Sequence, residues 1–291
     1  MDKYILRGGQ GGVKLGCQLL GKSRQAYYKH SKRVKTKQVK ACTAVSLVME
    51  QRKELPRIGT LKLYHLLLPQ LKEIKVGRDM LNTILKVNGL LIKPLRQYRK
   101  TTQSTHFLKK HKDLVAGLNI SRPEQVWVSD ITYVYHRQRH YYLSLITDAY
   151  SKRIMGYNID SGLSAELVIE SLKMAIGNRD YKMKLIHHSD RGSQYCCNEY
   201  QMILRRYGIR TSMTEGYDPY SNAIAERVKG ILKQEFLLEG RECSFHELKV
   251  IVKHSIETYN RKRPHLSCAL LTPIKMHQQR QLKRKEYKVK V

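Results

Sequence analysis

The stretch "EQVWVSDITYVYHRQRHYYLSLITDAYSKRIMGYNI", residues 124–159, decides the fold. It holds three runs rich in β-branched and aromatic residues, at 125–135, 140–147 and 153–159, with the short polar turns "HRQR" and "DAYSK" between them. Three strands so joined form a meander. Beyond them the period changes to that of a helix, at 164–178, where Leu167, Val168, Leu172, Ala175 and Ile176 are apolar. A short strand, "KLIHHSD", follows, then a helix at 198–207, a strand near 209–213 and helices at 222–238 and 244–260. The order βββ-α-β-α-β-α-α predicts an α/β domain, a mixed sheet with helices on both faces.

Three acids stand out by their place in that order. Asp130 lies inside the first strand, between apolar neighbours, where an unpaired carboxylate is costly. Asp190 ends the fourth strand, at the carboxyl edge where open α/β sheets place their sites. Glu226 opens a helix on which Lys229, Gly230 and Lys233 follow at i+3, i+4 and i+7, on one face. Ile224, Val228, Ile231 and Leu232 fall on the other face and can pack on the sheet. Converging carboxylates in a basic protein suggest divalent metal, since two ions ~4 Å apart can activate a nucleophile and stabilise a leaving oxygen. Oxygen ligands suit Mg²⁺ or Mn²⁺. Asp148, also at a strand end, is assigned no metal, and His187 and His188 are read as packing or hydrogen-bonding groups.

The charge fits a polyanionic partner. The chain has 291 residues, with 55 Lys and Arg against 24 Asp and Glu, a net +31. Residues 1–115 carry 26 basic and 6 acidic side chains, residues 116–240 carry 16 and 14, and residues 241–291 carry 13 and 4. A near-neutral centre between basic flanks argues against a chain that only coats nucleic acid. The six cysteines show no zinc-ligand spacing and read as free thiols of a cytoplasmic protein. No signal peptide is read at "MDKYILRGGQ", and no apolar run approaches the ~20 residues of a membrane span.

The N-terminal part contains a decoy. "GCQLLGKS", Gly16–Ser23, matches the phosphate-binding pattern G-x-x-x-x-G-K-[ST] letter for letter. A phosphate loop needs a strand before it and a flexible interior, whereas Cys17, Gln18, Leu19 and Leu20 suit a helix. The stretch is read instead as a turn at Gly21 and an N-cap at Ser23 between two helices, and no nucleotide is expected. Five segments follow: a helix-turn-helix segment at 1–42, a second such segment at 43–92, a basic linker at 93–121, the α/β core with its C-terminal helices at 122–277, and a basic tail at 278–291. Basic helices joined by glycine turns suit helix-turn-helix DNA binding.

Several motifs together carry a resemblance: "QVWVSDITYV", "ITDAYSKRIMGY", "HHSDRGSQY", "NAIAERVKGILKQEF" and "YNRKRPHLSCALLTP". From about Pro123 to His277 the chain resembles the integrase core of DDE transposases, an RNase H-like mixed five-stranded sheet. Within that group it is similar to the second-frame protein of the insertion-sequence-three family. Thirty-five residues separate Asp190 from Glu226, the spacing of the D,D-35-E subgroup. "LGCQLLGKSRQAYYK" and the region from "RIGTLKLYHLLL" to "NGLLIKPLRQY" resemble that family's helix-turn-helix segments.

The resemblance implies that Asp130, Asp190 and Glu226 hold two Mg²⁺ or Mn²⁺ ions. These would serve cleavage at the ends of an insertion sequence and attack of the freed 3′-OH on target DNA. Lys233 matches a DNA-contacting residue, and Lys229 and Arg191 join it as expected DNA contacts. The implied partners are double-stranded DNA (terminal repeats and target), further copies of the chain on that DNA, and an upstream-frame protein or fusion segment. The implied location is the bacterial cytoplasm, at the nucleoid. From another class comes the alternative of a DNA-binding regulator, inactive without its upstream-frame partner; a structure-selective nuclease of the same fold is a third reading. Ser221 and Cys268 depart from the family pattern, and neither is a proposed ligand.

Overall fold

Gly21 and Ser23 settle the amino-terminal ambiguity. Helix α1, Gly9–Leu19, ends in a Schellman turn: Lys22 N donates to Cys17 O at 2.9 Å and Gly21 N to Gln18 O at 3.2 Å, with Gly21 at φ +62°. Ser23 Oγ then accepts from Ala26 N at 3.0 Å and starts α2, Arg24–Glu54. Gly9–Leu19 is therefore helix, where a phosphate loop requires a strand running into a loop. Helix α2 has 31 residues and runs through position 42, where the sequence suggested a segment boundary. Three shorter helices follow, α3 (Thr60–Leu66), α4 (Leu68–Glu73) and α5 (Arg78–Val87), the last stopping before Asn88-Gly89 as expected.

This is a computed structural model that describes residues 9–93, 110–136, 139–214, 223–239 and 243–279. Ser221, most of the expected linker and nearly all of the basic tail lie outside the described residues. The chain divides into two compact units, Met1–Gln51 with Gly59–Leu91, and Arg52–Ile58 with Ile92–Val291. Among the described residues no helix is long and apolar enough to cross a membrane.

The second unit is built on the predicted meander: β1 (Val126–His136), β2 (Arg139–Asp148) and β3 (Ile154–Asp160), paired antiparallel. Next come α6 (Ala165–Gly177), β4 (Leu185–Ser189), a single turn α7 (Ser193–Cys196), α8 (Asn198–Arg206) and β5 (Ile209–Met213). Strands β4 and β5 join in parallel, giving the order β3-β2-β1-β4-β5. This is the mixed five-stranded RNase H-like sheet; the single turn α7 was not anticipated. Helices α9 (Ala223–Glu235), α10 (Phe245–Lys262) and α11 (Pro273–Gln278) complete the unit, with a 3-10 turn at Leu266–Cys268.

Alternation on β1 divides the two faces. Trp127 and Ile131 belong to the larger core, with Val168, Leu172, Tyr195, Tyr200 and Leu204 of α6, α7 and α8. Val126 and Val128 face the other way and pack with Ala149, Ala225 and Ile224, so α9 lies on the opposite face. Burying two apolar faces of one strand explains why β1 reads as nearly continuous apolar sequence. Asp130 follows Val126 and Val128 at the same period and so belongs to the α9 face.

Candidate active site

The register of the sheet brings two of the three acids level. Strands β1 and β4 pair in parallel, with Val128 opposite His188. Two residues further along lie Asp130, within β1, and Asp190, one residue past the end of β4, so both stand next to this paired end of the two strands. Asp190 lies just past the end of β4, where its Oδ1 accepts from Gly192 N at 3.0 Å in an Asx turn. Glu226, exposed, stands in the first turn of α9, which the helix dipole favours for an acid. The packing of Ala225 and Val128 holds that turn over the sheet.

The cation among these acids was not legible in the sequence. Lys229 Nζ lies 2.8 Å from Asp130 Oδ2, with side-chain exposures of 30 % and 13 %. Sequence periodicity placed Lys229 with Glu226 on a face opposite the apolar one. The structure buries Ala225, Val228, Ile231 and Leu232, and Lys229, half-buried at the border of that apolar face, reaches Asp130 because α9 packs on both β1 and β2. Burial works against the charge on Lys229, yet Asp130, and after it Glu226 and Asp190, hold its pKa above the ordinary lysine value. All three acids thus act on one ammonium. Burial pushes the Asp130 carboxyl above its usual range, against the opposing pull of Lys229 and of Lys233. Lys233 itself pairs with Glu239 at 3.0 Å, and Arg191 lies partly buried beside Asp190.

Supporting residues come from elsewhere in the chain. Tyr195, fully buried, meets Ser129 Oγ at 3.0 Å; burial, then Asp190 and more weakly Asp130, raise its phenol pKa. Its place beneath the two aspartates had no sequence signal. At the far end of α9, Arg263 donates from Nε and Nη2 to Glu235 Oε2 and Oε1 at 2.8 and 2.7 Å. This partly buried two-pronged pair fixes the helix that carries Glu226 and Lys229. One motif supplies further ties: Asn260 exchanges both hydrogen bonds with the backbone of Ile154, and the Tyr259 hydroxyl donates to Lys152 O at 2.9 Å. Those bonds cover the edge strand β3.

The histidines and the fourth acid have structural partners. His187 Nε2 lies 2.8 Å from the Tyr200 hydroxyl and His188 Nδ1 2.9 Å from Ser212 Oγ. Asp148 is fully buried and accepts from Glu124 N, Ser151 N and Ser151 Oγ, each at 2.7 Å. Among the described residues, Glu124, Asp180 and His277 are the one trio of acid, histidine or cysteine ligands with donor atoms all within 4.8 Å of one another. Asp130, Asp190 and Glu226 do not draw that close. The trio's atoms are already engaged: Glu124 accepts from Asp180 N and Tyr181 N, Arg179 pairs with Glu124, and Arg153 pairs with Asp180. It is a knot that ties α11 to the start of β1.

The chain is similar to several known proteins. The integrase core domain family matches residues 120–219 and, in a second match of the same description, residues 207–273. An insertion element IS600 uncharacterized 31 kDa protein of Shigella sonnei is 34 % identical over 263 residues, covering 88 % of this chain and 95 % of that one. Transposase InsF for insertion sequence IS3A of Escherichia coli K12 is 30 % identical over 268 residues, covering 90 % and 92 %. Among solved structures, the HTLV-2 integrase catalytic core domain in complex with magnesium matches with a TM-score of 0.44 at 20 % identity, covering 54 % of this chain and 97 % of that one. With relatives of this identity aligned over nearly their whole length, the chain belongs to the insertion-sequence-three family of transposases, polynucleotidyl transferase-type enzymes that act in DNA transposition through an integrase core.

Proposed function

We propose that Asp130, Asp190 and Glu226 are the metal-holding catalytic acids of a reaction that cleaves the ends of an insertion sequence and joins the freed 3′-OH to target DNA. The observation that carries this reading is the Lys229 ammonium 2.8 Å from Asp130 Oδ2, its charge favoured also by Glu226 and Asp190: the place favours a cation and offers carboxylate oxygens. That donor set suits Mg²⁺ or Mn²⁺. When bound, two such ions would supply Lewis acidity to the attacking and leaving oxygens of the phosphodiester. Asp130 and Asp190 would hold their oxygens from the rigid sheet, and Glu226 from a helix clamped by Arg263. Lys233, Lys229 and Arg191 would meet phosphate oxygens beside the acids, positioning the duplex without reading its sequence.

The helical unit would hold DNA. On α2, Lys29, Lys32, Arg33, Lys37 and Lys40 line one concave face together with Thr36 and Met80, and no acid occurs from Arg24 to Met49. Segments 1–42 and 43–92 are read as DNA-binding segments, 122–277 as the chemical centre, and the linker and tail as further cationic contacts. Several copies would assemble on the DNA, together with an upstream-frame segment.

The test is Mg²⁺- or Mn²⁺-dependent nicking and joining of a labelled element-end duplex, run with the chain alone and with the upstream-frame segment fused. Glu226→Gln should abolish products while retaining DNA binding. Equal products from the variant would refute the role of Glu226. Binding without products from either wild-type preparation would favour the regulator.

A further inference from the structure

We propose that Lys229 is a built-in competitor for the divalent ion: its ammonium and the ion share Asp130, so the lysine weakens metal binding. The proposal rests on the reading of Asp130, Asp190 and Glu226 as metal-holding acids. Its starting point is geometric. The Asp130 side chain is 13 % exposed, and Lys229 Nζ lies 2.8 Å from its Oδ2. A carboxylate that far from water is costly unless a cation compensates it, and three acids near one another make the need greater. Lys233, one turn further along α9, is held at 3.0 Å by Glu239, which leaves Lys229 as the cation in contact with Asp130.

The arrangement follows from helix geometry. A helix that brings Glu226 to the sheet brings residue 229, three positions on, along the same side. An ammonium and a dication repel, so an ion held by the Asp130 carboxylate, even through its other oxygen, works against the Lys229–Asp130 pair and drives the lysine away. The lysine can yield, because its four-carbon stem is flexible and the side chain is 30 % exposed. Once displaced, its ammonium is free to meet a DNA phosphate, which would couple metal loading to DNA engagement. Before an ion arrives, the same ammonium keeps the buried acid compensated.

The test is calorimetric titration of the full chain with Mn²⁺ alone, without DNA, for wild type, Lys229→Met, Lys229→Gln and Asp130→Asn. Thermal melting of each in EDTA reports folding. Lys229→Met should bind Mn²⁺ about tenfold more tightly than wild type, ~1.4 kcal/mol, while melting lower in EDTA. Lys229→Gln should follow it and serves if the methionine variant does not fold. Asp130→Asn should bind more weakly than wild type. Equal or weaker binding by both lysine variants, with binding still lost in Asp130→Asn, would overturn the competitor and leave the metal reading standing. No binding by wild type or by either lysine variant would overturn both.

Discussion

Acidification should unfold the integrase-like unit through His187. This side chain is fully buried in the core under β4, with Nε2 2.8 Å from the Tyr200 hydroxyl and the ring 5.4 Å from that of Tyr200. Burial, with a smaller contribution from neighbouring His188, pushes its pKa from 6.5 down to about 3. The folded state therefore keeps the ring neutral at pH values where the unfolded chain binds a proton. Its contribution to stability is present above pH ~6.5 and is lost as the pH falls toward ~3. Applying the two pKa values, the shift from pH 7 to pH 5 favours unfolding by on the order of 2 kcal/mol. The single tryptophan, Trp127, is fully buried in the same core, so its fluorescence reports this unit alone. Urea unfolding would be followed by Trp127 at pH 7, 6 and 5 in wild type and in His187→Gln, whose amide can still partner Tyr200. Titrations common to both proteins cancel in the difference, and wild type should lose ~2 kcal/mol more than the variant over this range. Parallel pH dependences would refute the assignment of a neutral, buried His187.

Two further substitutions test other links. Gly156 sits on β3 where an added Cβ would lie 2.0 Å from Ser171 O and 2.7 Å from Ala175 N, both backbone atoms of α6. Because a helix backbone cannot rotate aside, Gly156→Ala should destabilise the unit by ~3 kcal/mol, read as a lower urea midpoint; an unchanged midpoint would mean that α6 lifts freely from the sheet. Lys233→Ala should weaken binding of an element-end duplex and reduce the salt slope of binding by ~1, measured by anisotropy at several salt concentrations. An unaltered slope would remove Lys233 from the DNA contacts.

Much of the fold was legible because its signals are local. The strands of the meander show themselves by β-branched and aromatic runs between short polar turns, and α6 by apolar residues at helical spacing. Gly21 and Ser23 carried enough local chemistry to separate a turn and N-cap between two helices from a phosphate loop. Strand ends and the helix start likewise marked Asp130, Asp190 and Glu226 as candidates, since an acid in an apolar strand or at a sheet edge is conspicuous by itself.

Tertiary structure decided what those residues touch. Lys229 read as a lysine on the polar face of a helix, and only the packing of α9 across β1 and β2 turned it onto Asp130. Asp148 read as a strand-end acid and Glu124 and His277 carried no sequence signal, yet chain segments far apart in sequence bury them together. Arg263 gave no hint that it clamps the helix bearing Glu226, because its partner, Glu235, lies on another helix. Periodicity and turn chemistry depend on a residue and its near neighbours, so the amino-acid order alone determined the elements and their sequence. Charge pairing and burial depend on which elements share a face, and that was decided only when the sheet order β3-β2-β1-β4-β5 and the docking of α9 set distant residues side by side.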